Sequence, residues 1–549
     1  MSMPIPRALA LLALLALSGC ASLRDDPQAA ETTALRAKVK TVVVIYAENR
    51  SFDNLFGHFP GANGLAQAVA RPQLDRDGRP LPTLPPTWGG VTAPGSPTPV
   101  TQAQSAGLPN APFAVETAFQ ARAGATLSSR TVTRDLVHRF YENQMQIHGG
   151  ANDMFAAWSD AGGLSLGTFD TRGSASDQLA RQQVLADNFF QGAFGGSFLN
   201  HQYLICACAP EFPHADTAPS KPSIAVLQRD AQGHFLPQLA LAPDSPASAL
   251  DGPPKWQGNG NLTPAGYFGD DNFYAVNTMQ PAFQPSGNAP QSTTGAQAGY
   301  ADPSKPTTLP AQTRATIGDL LSQKQLGWAW YAGAWNAALQ DGQQPASVRR
   351  SVIYATNANG VATAQQADFQ AHHQPFNYYA TLDPVAHPDA RRAHLKDYED
   401  LLHDAAAGTL PPVVFYKPEG VYNQHPGYTD VSAGDARIAS VVAQLQASPQ
   451  WPHMVIVLTY DEFGGSWDHV APPPGDLLGP GTRIPAIIIA PFAKHGTVDH
   501  TPYDTASVLR LITRVFDLPT LPGLRQRDQA LQAHGHPPMG DLSQALDLR

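Results

Sequence analysis

The sequence predicts one large α/β domain, a mainly parallel sheet with helices on its faces and long loop insertions, and three observations carry that prediction. Four short runs dense in Val and Ile each leave into Gly, Pro or acidic residues: TVVVIYA (41–47), PPVVFYKPEG (411–420), HMVIVLTYDEFGG (453–465) and RIPAIIIAPFA (483–493). Continuous apolar runs of this kind are strands covered on both faces. Amphipathic helical spacing separates or follows the last three runs, which is the pattern of parallel strands joined by crossover helices. Long aperiodic stretches rich in Pro, Gly, Ser and Thr, 81–113 and 281–313, read as surface insertions.

Taken in order, the chain opens with MSMPIPRALALLALLALSGCASL, where Arg7 precedes an apolar run from Ala8 to Leu17 too short to span a membrane comfortably. This reads as a signal peptide over residues 1–19. Leu17-Ser18-Gly19-Cys20 resembles a bacterial lipobox, so Cys20 is expected to be acylated, an ordinary leader with a chance cysteine being the alternative. Residues 20–40 are expected to be a flexible tether and 41–549 a single domain with insertions near 66–130 and 206–315. Leu395, Tyr398 and Leu402 predict a helix stopped near Gly408. Ile438, Val441, Val442 and Leu445 predict another behind an Asp435 cap, and Val508, Leu511, Ile512 and Val515 a third behind Asp504. No period of 20 to 50 residues repeats, which excludes solenoids and propellers.

Composition narrows the function classes. Only 15% of the 549 residues are charged, while 51 Pro and 46 Gly indicate much irregular but ordered loop. The formal charge is −10, and removing a leader whose only charge is Arg7 takes it to −11, so the general surface does not suit nucleic acid. Cys206 and Cys208 stand in CAC, too close for an easy bridge, and are expected to be a local feature rather than a disulfide.

The chemistry concentrates where strands end. In an open parallel sheet, ligands bind beyond the carboxyl ends of the strands. The first strand delivers Glu48 and Asn49 there, and MVIVLTY delivers Asp461 and Glu462. Three carboxylates brought to one point repel unless a cation neutralises them. Either pair alone also fits a solvated turn or a helix cap. GGSFLNH offers Ser197 as a nucleophile beside a flexible Gly195-Gly196, after a helix expected to end near 188–191, although Gly-Gly-Ser is also ordinary loop. His138, His372, His373 and His425 lie in DLVHRFYENQ, HHQP and NQHPGY, turns from which imidazoles can reach a cleft. A phosphate-cradling GxxxxGK[ST] loop is absent from the sequence.

ENRSFDN, GGSFLNH, the His pair, the HPG turn and YDEFGGSWDHVAPP, in that order, resemble the phosphoesterase family of bacterial phospholipases C and related acid phosphatases. The resemblance runs from about Thr41 to Phe516 and is nearer the acid phosphatase branch, because the phospholipase C branch carries Thr where this chain has Ser197. It implies an alkaline-phosphatase-like α/β/α sandwich with one divalent metal ion on Glu48, Asn49, Ser197, Asp461 and Glu462. It also implies Ser197 as nucleophile, through a phosphoserine, and His138, His372, His373 and His425 around the phosphate. The implied activity is hydrolysis of phosphate monoesters, with phospholipase C or another phosphodiesterase activity as the neighbouring reading. A non-catalytic envelope lipoprotein is the reading from another class. The implied location is the periplasm or outer membrane, held by lipid on Cys20. Arg50 is the only Lys or Arg in these motifs placed to balance charge, so the imidazoles are expected to carry positive charge as pH falls below about 6.5.

Overall fold

A computed structural model describes residues 27–68, 71–213, 222–232, 234–258, 263, 267–355 and 368–549. The leader and Cys20 lie outside the described residues. Eight strands form the main sheet: β1 (Thr41–Ala47), β2 (Val184–Ala186), β3 (Trp328–Ala332), β4 (Leu395–Asp397), β5 (Val413–Lys417), β6 (Met454–Tyr460), β7 (Ala486–Ile489) and β8 (Thr497–Asp499). Their spatial order is β8-β2-β7-β6-β1-β5-β3-β4. From β6 through β4 every pairing is parallel. The exception to a parallel sheet is β7, antiparallel to both β6 and β2. The connection from β6 to β7 has no crossover helix and returns the chain directly, so RIPAIIIAPFA runs opposite to its neighbours.

Every residue of β1 and β6 is buried, which requires cover on both faces of the sheet. Two groups of helices supply it. Helix α5 (Val431–Ala447) packs on α4 (Tyr398–Ala407) and α2 (Ala175–Gln182); α6 (Thr505–Phe516) packs on α3 (Ser197–Cys206) and α1 (Pro27–Lys38). Ile438, Val441, Val442 and Leu445 are the buried stripe of α5, and Val508, Leu511, Ile512 and Val515 that of α6, as their spacing predicts. Among the described residues, 66–130 and 206–315 add no strand to this sheet.

Several local expectations change. Helix α5 starts at an Asp430 cap, not Asp435. The Asp435 carboxylate instead accepts the backbone N–H groups of Ala175 and Ser176 at 2.7 and 2.9 Å, capping α2 from outside. Leu395 belongs to β4, and α4 begins after Asp397 with Gly408 closing it in the left-handed conformation. Residues 184–186 and 189–190 form short strands rather than the end of a helix. Residues 27–38 of the expected tether form helix α1, tied down by Arg514 Nε donating to Thr32 and Arg36 Nε donating to the Arg514 carbonyl. Cys206 and Cys208 are joined in a disulfide. Ala207 between them takes a left-handed backbone (φ 51°) at the end of α3, which folds the two Cα atoms to 5.2 Å, inside the range a bridge accepts.

Candidate active site

Strand register builds the site. Ala47 pairs with Tyr460, so the next residues, Glu48 and Asp461, leave the sheet side by side. On the other flank Ile45 pairs with Tyr416, which brings Lys417 level with the end of β1. Three adjacent strand ends therefore deliver Asp461 and Glu462, Glu48 and Asn49, and Lys417 to one place, the position at which open parallel sheets bind ligands. All five are completely buried. Asn49 adopts φ 60°, and its N–H donates to Asp461 Oδ1 at 3.0 Å, a bond that turns its side chain back over the strand ends.

Ser197 closes the group from α3, as its first residue. Its hydroxyl lies 3.3 Å from Asn49 Oδ1 and 3.4 Å from both Glu48 Oε2 and Glu462 Oε1. The two preceding glycines are needed for space. A Cβ on Gly195 (φ 82°) would stand 2.3 Å from Phe140 N, and one on Gly196 would stand 2.6 Å from the His138 carbonyl oxygen. With Gly196 at the N-cap, no side chain caps α3, so its first-turn N–H groups remain available to an anion in the cleft. That cleft, of about 610 Å³, is lined by Glu48, Ser197, His138, His372 and His425 among others.

The histidines are oriented by carbonyls, which can only accept. His138 Nδ1–H donates to Leu136 O and His425 Nδ1–H to Pro426 O, each at 2.6 Å, so both rings present Nε2 inward, 3.3 and 3.1 Å from Asn49 Nδ2. His373 Nε2 lies 2.6 Å from Glu48 Oε1. His372 lines the cleft. Burial pushes His138, His373 and His425 below the ordinary imidazole value. Charge on them below about pH 6.5 is therefore not inherent to the site; it requires lower pH or a bound anion.

Electrostatics divide the carboxylates. Burial alone would raise Glu48, but Lys417 Nζ at 2.7 Å and His373 hold it well below the usual range. Burial, then repulsion by Glu48, pushes Asp461 up to about 7. Burial, then repulsion by Asp461, pushes Glu462 well above its ordinary value. Asp461 Oδ2 is buried with no hydrogen-bond partner. Three carboxylates against one ammonium leave two negative charges, and the convergent oxygens are of the hard type that divalent cations take, so the residues fit one such ion.

Lys417 and His201 were not expected from the sequence. Lys417 closes an otherwise apolar run, and His201 lies one helical turn after Ser197, its Nδ1 donating to the Ser197 carbonyl at 2.8 Å. Arg50, the expected charge partner, points elsewhere: its guanidinium donates to Gln424 O at 2.8 Å and to Asn54 Oδ1 at 3.3 Å and stacks over Phe169. The remaining acidic motif residues brace the site without entering it. Arg483, fully buried, pairs with Asp53 at 3.0 Å and Asp468 at 2.9 Å, and His469 Nδ1 donates to Asp53 at 2.6 Å. This ties the loop after β1 to the loop after β6.

Over 120 residues, 18% of this chain and 22% of the relative, the sequence is 32% identical to non-specific phospholipase C1 of Arabidopsis thaliana. It is 28% identical to phospholipase C B of Mycobacterium tuberculosis over 145 residues, 22% of this chain and 28% of that one. These matches span less than a third of either relative's length. Among solved structures the chain is similar to the PsFucS1 sulfatase from Pseudoalteromonas sp., with 12% identity, 65% of each chain covered and a TM-score of 0.28. The family model described as Phosphoesterase family matches residues 39–519, a span that contains every strand of the sheet and every residue of the site, and the chain belongs to that family.

Proposed function

We propose that this protein is a metal-dependent phosphoric ester hydrolase of the acid phosphatase type, acting on phosphate monoesters through Ser197. The observation that carries the reading is the position of Ser197 Oγ. It lies within 3.4 Å of three convergent oxygens from two different strand ends, at the uncapped start of a helix and facing the cleft. A divalent ion held by Glu48, Asn49, Ser197, Asp461 and Glu462 would supply Lewis acidity, lowering the hydroxyl's pKa and offsetting charge on the phosphate.

The chain's own groups account for the rest. Ser197 Oγ attacks phosphorus, the bond to the leaving oxygen breaks, and a phosphoserine remains for water to cleave. First-turn N–H groups of α3 hold the phosphate oxygens, joined by Nε2–H of His138 and His425 once those rings are protonated. Because Nδ1–H of both rings is committed to a carbonyl, any added proton enters at Nε2, on the side of the ring from which an alkoxide in the cleft would take it. Burial disfavours that proton and a bound phosphate favours it, which supports a working range on the acid side. A phospholipase C or other phosphodiesterase activity is the second reading, supported by the activities in the relatives' names. Convergence of all the acids with Ser197 supports an enzyme over a binding lipoprotein.

The test is phosphate release from p-nitrophenyl phosphate beside diacylglycerol release from phosphatidylcholine, with acid-quenched protein mapped for phosphate on Ser197. We expect faster turnover of the monoester, a trapped phosphoserine, and less than about 0.1% of the rate in Ser197→Ala with an unchanged melting curve. Several per cent residual rate in that variant would remove Ser197 from the nucleophile's role. Export and lipid attachment at Cys20 belong to the same proposal. Cys20→Ala should move the protein out of the membrane fraction, and an unchanged distribution would refute the anchor.

A further inference from the structure

Glu48 presents its two carboxylate oxygens to two different places. Oε2 faces Ser197 at 3.4 Å, whereas Oε1 is turned away, 2.6 Å from His373 Nε2 and 2.7 Å from Lys417 Nζ. His201 borders that second place. With its Nδ1–H given to the Ser197 carbonyl, its Nε2 is a fully buried lone pair without a hydrogen-bond partner. Asp461 Oδ2, also buried and without a hydrogen bond, lies 3.9 Å from Lys417 Nζ and 3.7 Å from His201 Nδ1. One ligand atom each from Glu48, His201 and His373 lie within 4.8 Å of one another. Two imidazoles and a carboxylate so placed form a three-ligand set that zinc and similar divalent ions take, and Asp461 Oδ2 borders it. What stands there is an ammonium group.

We propose that Glu48, His201 and His373 form a latent second cation site whose place is taken by the Lys417 side chain, so that the centre accepts one divalent ion where its ligands would serve two. This rests on the reading that the oxygens around Ser197 hold the first ion. Lys417 is fixed in the role. It is fully buried at the end of β5, its Nζ also lies 3.4 Å from the Ala47 carbonyl, and it lies 5.2 Å from the Tyr46 ring centre. Charge gives the same answer as geometry. Three carboxylates, one ammonium and one divalent ion sum to zero, whereas a second divalent ion beside Lys417 would leave a buried double positive charge, which is strongly disfavoured. Without Lys417, one ion leaves a net charge of −1 and two leave +1 instead of +2, so the charge barrier falls and the two unused donor atoms favour a second ion. Stoichiometry is then set by a residue that binds no metal.

Metal analysis tests this without reference to turnover. Wild type, Lys417→Ala and Lys417→Ala/His201→Ala are each equilibrated with excess zinc, desalted and measured for zinc per chain. We expect one equivalent in wild type, two in Lys417→Ala, and one again in the double variant. One equivalent in Lys417→Ala, or two in the double variant, would overturn the proposal. Two in wild type would overturn it while leaving the first site intact, and none in any variant would overturn the metal reading beneath it as well. If Lys417→Ala does not fold, Lys417→Gln replaces it with the same expectation of a second, weaker equivalent, and its staying at one equivalent counts equally against the proposal.

Discussion

Substituting Gly196 by Ala perturbs the site by a known distance and adds no polar group. The backbone there is ordinary (φ −96°, ψ −177°), so alanine is not strained by conformation. Space is the constraint. The new Cβ would stand 2.6 Å from the His138 carbonyl oxygen and 3.3 Å from His138 Cδ2, against 3.4 Å or more for an ordinary contact. About 0.8 Å must be found, and retreat is blocked behind, since Gly195 already approaches Phe140 too closely for any Cβ. The shift falls on the two groups that matter, Ser197 as the next residue and His138 as the obstacle. A misplacement near 1 Å costs on the order of 100-fold in rate, so we expect kcat on p-nitrophenyl phosphate to fall ~30- to 100-fold. Overpacking of this kind costs about 1–3 kcal/mol, a modest loss in Tm. Metal content should hold, because most of its ligands come from the strand ends. A kcat within threefold of wild type at unchanged Tm would refute the idea that this contact sets the position of Ser197, the proposed nucleophile.

Glu48→Gln and Asp461→Asn should each lower zinc content after desalting and lower activity in parallel, since each removes charge that balances the cation; full occupancy in either would exclude that residue as a ligand. Asp461, pushed up to about 7 by burial and by Glu48, holds a proton in the folded metal-free protein that the unfolded chain releases above its ordinary carboxylate value. Its contribution is therefore lost as pH rises from about 4 to about 7, whereas the buried imidazoles contribute in the opposite sense in both proteins compared, so metal-free wild type should lose more Tm between pH 5 and pH 7.5 than metal-free Asp461→Asn, and added zinc should shrink that difference; an equal or smaller loss in wild type would refute it. Arg483→Met strands Asp53 and Asp468 in the interior, and breaking such a pair costs about 3–5 kcal/mol, so it should lower Tm more than Gly196→Ala; an equal or smaller loss would mean the brace is slack.

What was legible in the sequence depended on whether meaning was local. Glu48-Asn49 and Asp461-Glu462 stood out because acids directly after fully apolar strands are visible within one segment, and the register of Ala47 with Tyr460 sets them side by side. The stripes of α5 and α6 were equally readable from spacing. Asp435 misled because two acids near a helix start look alike, and only the packing of α2 against α5 decides that Asp430 caps its own helix and Asp435 a neighbour's. Asp53, Asp468 and His469 announced themselves as motif residues, yet their use is fixed by Arg483 and by contacts between residues more than 400 positions apart. The Cys206–Cys208 bridge depended on the backbone sign at Ala207, which an alanine does not advertise.

Lys417 shows where a local reading stops and what would extend it. In VVFYKPEG the lysine looks like a strand residue released to solvent, because polar residues at strand ends usually are. That reading conflicts with the strand itself. A run buried on both faces offers no solvent at its carboxyl end when neighbouring ends carry a ligand site, so the ammonium must meet a counter-charge inside. The candidates at the same sheet edge are the acids following the other two apolar strands, and the structure shows Glu48 at 2.7 Å and Asp461 at 3.9 Å. A lysine closing a buried strand is thus evidence for an acidic centre beside it. It also sets that centre's charge: three carboxylates less one ammonium would be balanced by a single divalent ion under the proposed reading, which is why the metal count of Lys417→Ala discriminates more sharply than its rate.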